Sequence, residues 1–334
     1  MQTMNVLGRS GLKVSPICLG TMTFGARTDE AEAGRIYARA REAGINFVDT
    51  ADVYNGGVSE EITGRLIKAE RDNVILATKL ANPLSKDPNQ AGLSRRWIMD
   101  AVAGSLRRLG TDHIDILYLH KEDHTTPLQE VVRALEDCVR AGTIRYFGVS
   151  NHRAWRVAEI VRWCDEANIT RPVVCQPYYH ALYRVIETEL LPACGHFDIG
   201  VYSYSPLARG VLSGKYAGAN VPEGSRAAAQ DARIMQTEFR PETVALADRF
   251  VARAKEKGVS PSAYAVAFVL ANRLVTGAIA GPRTVAQLEA YLGAVDVPWT
   301  AEDDAFIDTL VPVGSTAVHH YVDPAYPVEG RVLG

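Results

Sequence analysis

Short runs of apolar and β-branched residues recur along this chain, each closing on a polar residue or a glycine. They fall at 16–20, 45–49, 73–79, 115–120, 145–150, 173–176, 199–204 and 277–281. The stretches between them repeat their apolar positions with helical spacing: Val102, Leu106 and Leu109 on one, Val131, Leu135 and Val139 on another, Val157, Ile160, Val161 and Cys164 on a third. Strand alternating with helix predicts a parallel sheet, because parallel neighbours can be joined only by a crossover.

The residues closing the first seven runs are Gly20, Asp49, Lys79, His120, Ser150, Gln176 and Tyr204, separated by 29, 30, 41, 30, 26 and 28 positions. Each interval is about one strand-helix unit, and eight such units close most simply into a (β/α)8 barrel, whose chemistry lies at the carboxyl ends of its strands. The fold expected is therefore α/β, a single barrel domain over 1–334. The last interval, 77 positions from Tyr204 to Gly281, is long enough for a loop over 208–240 and one extra helix over 241–257. Residues 6–14, with Gly8, Ser10 and Gly11 at the bend, read as a hairpin placed to plug the amino-terminal mouth. Residues 299–310 read as an amphipathic helix, followed by an irregular tail rich in Tyr, Pro and His.

Charge narrows the partners. Against 36 Lys and Arg stand 39 Asp and Glu, a net charge of −3 with the signs interspersed, which gives no basic patch for nucleic acid or an anionic membrane. No apolar run reaches the roughly 18 residues of a membrane span, so the expected location is cytoplasmic, and a homo-oligomer stays open. The five cysteines, Cys18, Cys138, Cys164, Cys175 and Cys194, form no Cys-x-x-Cys pair and read as reduced and buried. Gly-x-Gly, Gly-Lys-Ser/Thr, His-Glu-x-x-His and Gly-x-Ser-x-Gly are all missing. A nucleotide, if bound, must be held by another device.

The strand ends carry usable chemistry. Asp49 leads through a Gly-rich loop bearing Tyr54 into a helix read as capped by Ser59, and Lys79 and His120 close the next two strands. Phenol has an ordinary pKa near 10, too high for an efficient acid at neutral pH, but a nearby ammonium favours phenolate and an aspartate keeps that ammonium charged. Taken alone, Lys79 would read as a surface charge, Asp49 as a turn cap and Tyr204 as core; their convergence at one barrel mouth changes that reading. Lys79 is accordingly read as a tuning group, whose loss should cost rate more than folding.

These residues sit in Leu19-Gly20-Thr21-Met22, Asp49-Thr50-Ala51 with Tyr54, Thr78-Lys79, Leu119-His120, Gly148-Val149-Ser150-Asn151, Tyr204-Ser205-Pro206-Leu207 and Gly281-Pro282-Arg283. Together, in this order and at strand ends, the motifs resemble the aldo-keto reductase superfamily, near the reductases related to potassium-channel β subunits. The resemblance implies a catalytic tetrad of Tyr54, Lys79, Asp49 and His120 and an extended NADPH/NADP+ across the mouth. It implies that Gly20, Thr21, Met22 and Asp49 border that cofactor, that Ser150, Asn151 and Gln176 hold the nicotinamide carboxamide, and that Tyr204 stacks on the ring. Ser205, Pro206, Leu207, Arg209, Gly210 and Lys215 then belong to the loop over the pyrophosphate, and Gly281, Arg283 and Gln287 to the 2′-phosphate and adenosine end. Tyr291 stands where many members have an adenine-contacting Asn.

The reading is a metal-free, NADPH-dependent reductase of a small-molecule aldehyde or ketone; its alternative is a regulatory subunit that senses redox state through the bound nicotinamide. Six further histidines, His124, His152, His180, His196, His319 and His320, share no metal-binding spacing. Met22, Phe24, Tyr54, Tyr178 and Tyr321 are read as apolar and aromatic walls for the substrate, with His319 and His320 as further candidates.

Overall fold

The computed structural model describes residues 3–318 and 323–327. Two short strands, β1 (Asn5–Val6) and β2 (Lys13–Val14), pair antiparallel as the expected hairpin. Eight parallel strands follow: β3 (Ile17–Gly20), β4 (Phe47–Asp49), β5 (Ile75–Leu80), β6 (Ile114–Leu119), β7 (Ile144–Ser150), β8 (Val174–Gln176), β9 (Gly200–Ser203) and β10 (Gly277–Ala280). They pair in sequence order, and β10 returns to pair with β3, closing the barrel. All eight expected strands are present.

The outer helices are α1 (Glu30–Glu42), α2 (Val58–Ile67), α3 (Arg95–Leu109), α4 (Leu128–Arg140), α5 (Ala154–Glu166), α6 (Leu190–His196), α7 (Ala232–Gln236), α8 (Pro241–Glu256), α9 (Pro261–Ala271), α10 (Val285–Leu292) and α11 (Ala301–Leu310). On α4 the buried stripe is Leu128, Val131, Val132, Ala134, Leu135 and Cys138, which includes Val131 and Leu135 of the period read from sequence, while Val139 is only partly buried. All five cysteines are free and buried.

The long interval before β10 holds the expected extra helix, α8, at the expected place. The helix that leads into β10 is α9, and the short α7 lies in the loop before α8. Helix α9 is apolar on every side, burying Ala263, Tyr264, Ala265, Val266, Phe268 and Val269, so no amphipathic period marks it.

Inside the barrel, Cys18, Phe47, Ile116, Tyr118, Val174, Tyr202 and Ile279 pack with Leu7 and Val14 of the hairpin. That packing fills the amino-terminal end. Gly8, at φ +50°, sits so close to the sheet that a Cβ would lie 2.5 Å from the Val173 carbonyl oxygen and 2.6 Å from the Gly200 nitrogen, so only glycine allows the hairpin to seat. Tyr202 adds a hydrogen bond from its hydroxyl to the Ser15 carbonyl at 2.6 Å, and the Asn5 amide one to the Thr276 carbonyl at 2.7 Å. At the opposite end, register places Gly20 beside Asp49 and Ser150 beside Gln176, so neighbouring strands deliver polar ends at the same height.

Candidate active site

Tyr54 is presented by a tight turn after β4. Asn55 adopts φ +53° there, a left-handed conformation that Asn tolerates, and its amide donates to the carbonyls of Met22 (3.0 Å) and Phe24 (2.7 Å), locking the turn to the loop after β3. The cap expected at Ser59 is not formed. Gly57 precedes α2, and Ser59 lies inside its first turn, where the hydroxyl bonds Thr21 (2.9 Å) and Thr50 (3.0 Å) and donates to the Thr21 carbonyl (2.8 Å). Thr21 is thereby turned into the interior, fully buried, and is not among the residues that line the cleft. Pro206 is also absent from the cleft wall.

At the mouth Lys79 is completely buried, and Asp49 is 2% exposed. The Lys79 ammonium pairs with Asp49 Oδ1, donates to the Thr50 carbonyl at 2.7 Å and stands 3.2 Å from the Tyr54 hydroxyl. Gln176 Nε2 donates to the second Asp49 oxygen at 2.9 Å. His120 meets the Tyr54 ring edge-on, centroids 5.9 Å apart. The four residues of the expected tetrad are thus brought together.

Burial dominates their titration. It pushes the Tyr54 phenol up, and Lys79 pulls it back only in part, so the phenol lies above its ordinary value and not below it, as the ammonium alone suggests. Burial by itself would lower Lys79, but Asp49 and Tyr54 outweigh it and hold the ammonium charged. Burial, then Lys79 and Lys121, push His120 well below the ordinary imidazole range, leaving a neutral ring at neutral pH. The arrangement can hold a phenol proton beside a fixed positive charge and offer it to an oxygen.

Next to this group, Ser150 donates to the Gln176 carbonyl (2.8 Å), the Asn151 amide donates to the His120 carbonyl (2.9 Å) and to Ser150 Oγ (3.0 Å), and the Tyr204 hydroxyl donates to Asn151 Oδ1 (2.7 Å). The Tyr204 ring is therefore fixed as a platform, with Tyr178 5.3 Å away. A cleft of about 350 Å³ runs from Tyr54 and His120 past these residues to the start of α10. Gly20, Met22, Ser205, Leu207, Arg209, Gly210, Lys215, Gly281, Arg283 and Gln287 line it, as does Tyr291. Ser205, Ala208 and Arg209 hold φ of +57°, +48° and +54°, a run of left-handed non-glycine residues of the kind that clusters at ligand clamps.

The far end of the cleft is cationic. Arg226 and Arg233, unremarked in the sequence, also line the cleft, and Arg226 gathers with Lys215 and Arg283 at that end. Burial first, then Arg283, Arg226 and Arg27, push Lys215 down to about 8. Arg283 donates to the Gly224 carbonyl (3.1 Å), and its own amide donates to Gln287 (2.9 Å).

A second cavity of about 680 Å³ adjoins the first, sharing Asn151, Tyr204 and Tyr326 with it and walled by Tyr178, Tyr183 and Ile186. Tail residues 323–327 cover it: Asp323 pairs with Arg233 and lies 3.7 Å from Arg209, and the Pro327 carbonyl accepts from Arg153 at 3.0 Å. Of the expected substrate walls, Met22, Tyr54 and Tyr178 face these cavities, but Phe24 is fully buried in the core because the Asn55 lock folds its segment inward. His319, His320 and Tyr321 lie outside the described residues.

Sequence reasoning also passed over Ser262 and Tyr326. Ser260-Pro261, a cap followed by proline, signals the helix start that carries Ser262; Tyr326 reaches the mouth only by tertiary folding of the tail, which leaves no local signal.

A family model described as the aldo/keto reductase family matches residues 16–312. YrpG of Bacillus subtilis, described as an uncharacterized oxidoreductase, is 38% identical over 318 residues, covering 92% of this chain and 95% of its own. Chains from Oryza sativa and Arabidopsis thaliana, each bearing the name "Probable voltage-gated potassium channel subunit beta", are 36% identical over 297 and 299 residues, covering 87% of this chain and 90% of theirs.

Proposed function

The chain belongs to the aldo/keto reductase family of oxidoreductases, and from that premise we propose that it reduces an aldehyde or ketone to an alcohol with NADPH. The observation that carries the reading is the Tyr54 hydroxyl held 3.2 Å from a buried, charged lysine at the foot of a cleft that ends in a cluster of cations. The residues present fit the cofactor: Tyr204 offers a fixed aromatic face for a nicotinamide, and Lys215, Arg226 and Arg283 offer charge for phosphates. Bound there, NADPH would supply the hydride.

The chain's own residues do the rest. Tyr54 gives its proton to the carbonyl oxygen as negative charge develops there, and Lys79 stabilises the phenolate left behind. His120, neutral, offers a ring N–H to the same oxygen and so orients the carbonyl. Asp49 and Gln176 hold Lys79 and one another in place. Because burial keeps the phenol protonated, reduction should hold a plateau through neutral pH and fall in alkaline solution, while alcohol oxidation, which needs the phenolate, should rise there. Steady-state profiles in both directions check this; an oxidation rate flat across the alkaline range would contradict it.

Turnover tests the proposal itself: sustained NADPH consumption over many cycles with a generic aldehyde such as 4-nitrobenzaldehyde. The names of the plant relatives motivate the alternative of a slow, redox-sensing subunit, and a single turnover followed by arrest would favour it.

Cofactor choice gives a separate prediction. Arg283 can make a paired, charge-assisted contact with a 2′-phosphate, so Arg283→Ala should weaken NADPH binding by about 1.5–3 kcal/mol and leave NADH nearly unchanged. Arg226→Ala should act in the same direction. Equal losses for both cofactors, measured by fluorescence titration, would move the phosphate pocket elsewhere.

A further inference from the structure

Behind the tetrad lies a buried charge cluster that the mechanism above does not use. Asp52 sits in the turn between Asp49 and Tyr54, is completely buried, and donates its backbone amide to the Lys79 carbonyl at 3.1 Å. Neither of its carboxyl oxygens has a well-formed hydrogen-bond partner. Glu60, on α2 and also completely buried, accepts from Thr78 Oγ1 at 2.5 Å and from Arg108 Nε, on α3, at 2.6 Å. The titratable groups that interact with Asp52 are Glu60, Arg108, Lys79 and Tyr54, and Lys79 is in turn paired with Asp49.

Their charges do not balance. Arg108 is engaged by Glu60 and Lys79 by Asp49, so a third ionised carboxylate would be buried without a cation of its own. A buried carboxyl in that position binds a proton in preference to ionising. We propose that Asp52 is a positioning residue behind the catalytic pair: it holds a proton in the buried cluster and, on releasing it, places a negative charge near Lys79 that keeps Tyr54 a proton donor further into alkaline solution. The proposal rests on the reductase reading for its effect on rate, and on the cluster alone for the proton.

The direction of titration agrees. Burial and then Glu60 push Asp52 up to about 8, with Arg108, the Val53 amide and Lys79 offsetting part of it. The negative charge of Asp52 is in turn among the influences that raise Tyr54, after burial and Asp49. In the folded protein this carboxyl lies above its unfolded value, so the stability it contributes is full below the unfolded pKa and is lost as pH rises towards about 8.

Three measurements on wild type and Asp52→Asn test this. In the infrared spectrum at neutral pH, wild type should show a protonated-carboxyl C=O band that shifts in D2O and is missing from the variant. The thermal midpoint of the variant relative to wild type should rise between pH 5 and pH 8 and level off above. In reduction, the gap between the two proteins should widen with pH, the alkaline limb of the variant lying lower by roughly half a unit to one unit, the reach of one screened charge at this distance. Glu60→Gln gives a second handle, since it frees Arg108 for Asp52, and the same infrared band should then disappear. A wild-type protein without the band, or a midpoint difference that ignores pH, overturns the assignment of the proton. A band present with an unmoved alkaline limb overturns the action on Tyr54. Failure of wild type to reduce any carbonyl would instead strike the reductase reading and leave the infrared and thermal results to judge the proton.

Discussion

Tyr54→Phe should leave aldehyde reduction at about one hundredth to one ten-thousandth of the parent kcat, the usual worth of a positioned general acid. The hydroxyl contacts Lys79 at 3.2 Å, while Lys79 keeps Asp49 and the Thr50 carbonyl without it, so the fold should hardly notice the change. NADPH affinity should stay within a few fold, because the platform at Tyr204 and the cationic end are untouched. Stopped-flow reduction alongside cofactor titration separates these quantities. A variant retaining more than about a tenth of the parent rate would remove Tyr54 from the role of acid.

Lys79→Met should be costly twice. The sequence reading expects rate to suffer more than folding, but a lysine with no exposure, paired with an aspartate that is 2% exposed, is part of the interior. Removing the cation leaves Asp49 with Gln176 alone, and breaking such a buried pair from one side destabilises by about 3–5 kcal/mol. The loss should depend on pH in a definite sense. Without Lys79 the Asp49 carboxyl is raised further above its unfolded value, so the variant's deficit is least in acid and grows as pH rises. Adding Asp49→Asn should recover much of the thermal midpoint and none of the activity, since the neutral amide no longer needs a partner while the phenolate still lacks one. A double variant as unstable as the single one would show that the ion pair is not the source of the loss.

The difference between those two accounts of Lys79 marks where the sequence stops being legible. Strand ends could be located because short β-branched runs stand out between helical periods, and a closed parallel barrel then brings Asp49, Lys79, His120, Ser150 and Gln176 to one rim whatever their separation in the chain. Depth could not. A lone lysine carries the same letters on a surface as beneath a tyrosine, and its burial follows from contacts with Asp49 and Thr50 about thirty positions away. Thr21 and Met22 show the same limit at finer scale: adjacent residues in one motif, one turned into the interior against Ser59 and the other left at the cleft. Arg233 and Asp323 meet across the loop and tail, segments without a period to read, and α9 hides because it is apolar all round.

The hairpin seated on Gly8 has a kinetic side. With Leu7 and Val14 filling the floor of the barrel, reactants can come and go only over the rim that carries Tyr54. A nicotinamide lying on Tyr204 would be the lower layer and the carbonyl compound the upper one, so the first to arrive must be the last to leave. On the proposed reading turnover would then run as a queue: alcohol off before spent cofactor, fresh cofactor on before the next carbonyl, with cofactor exchange setting the pace of the cycle.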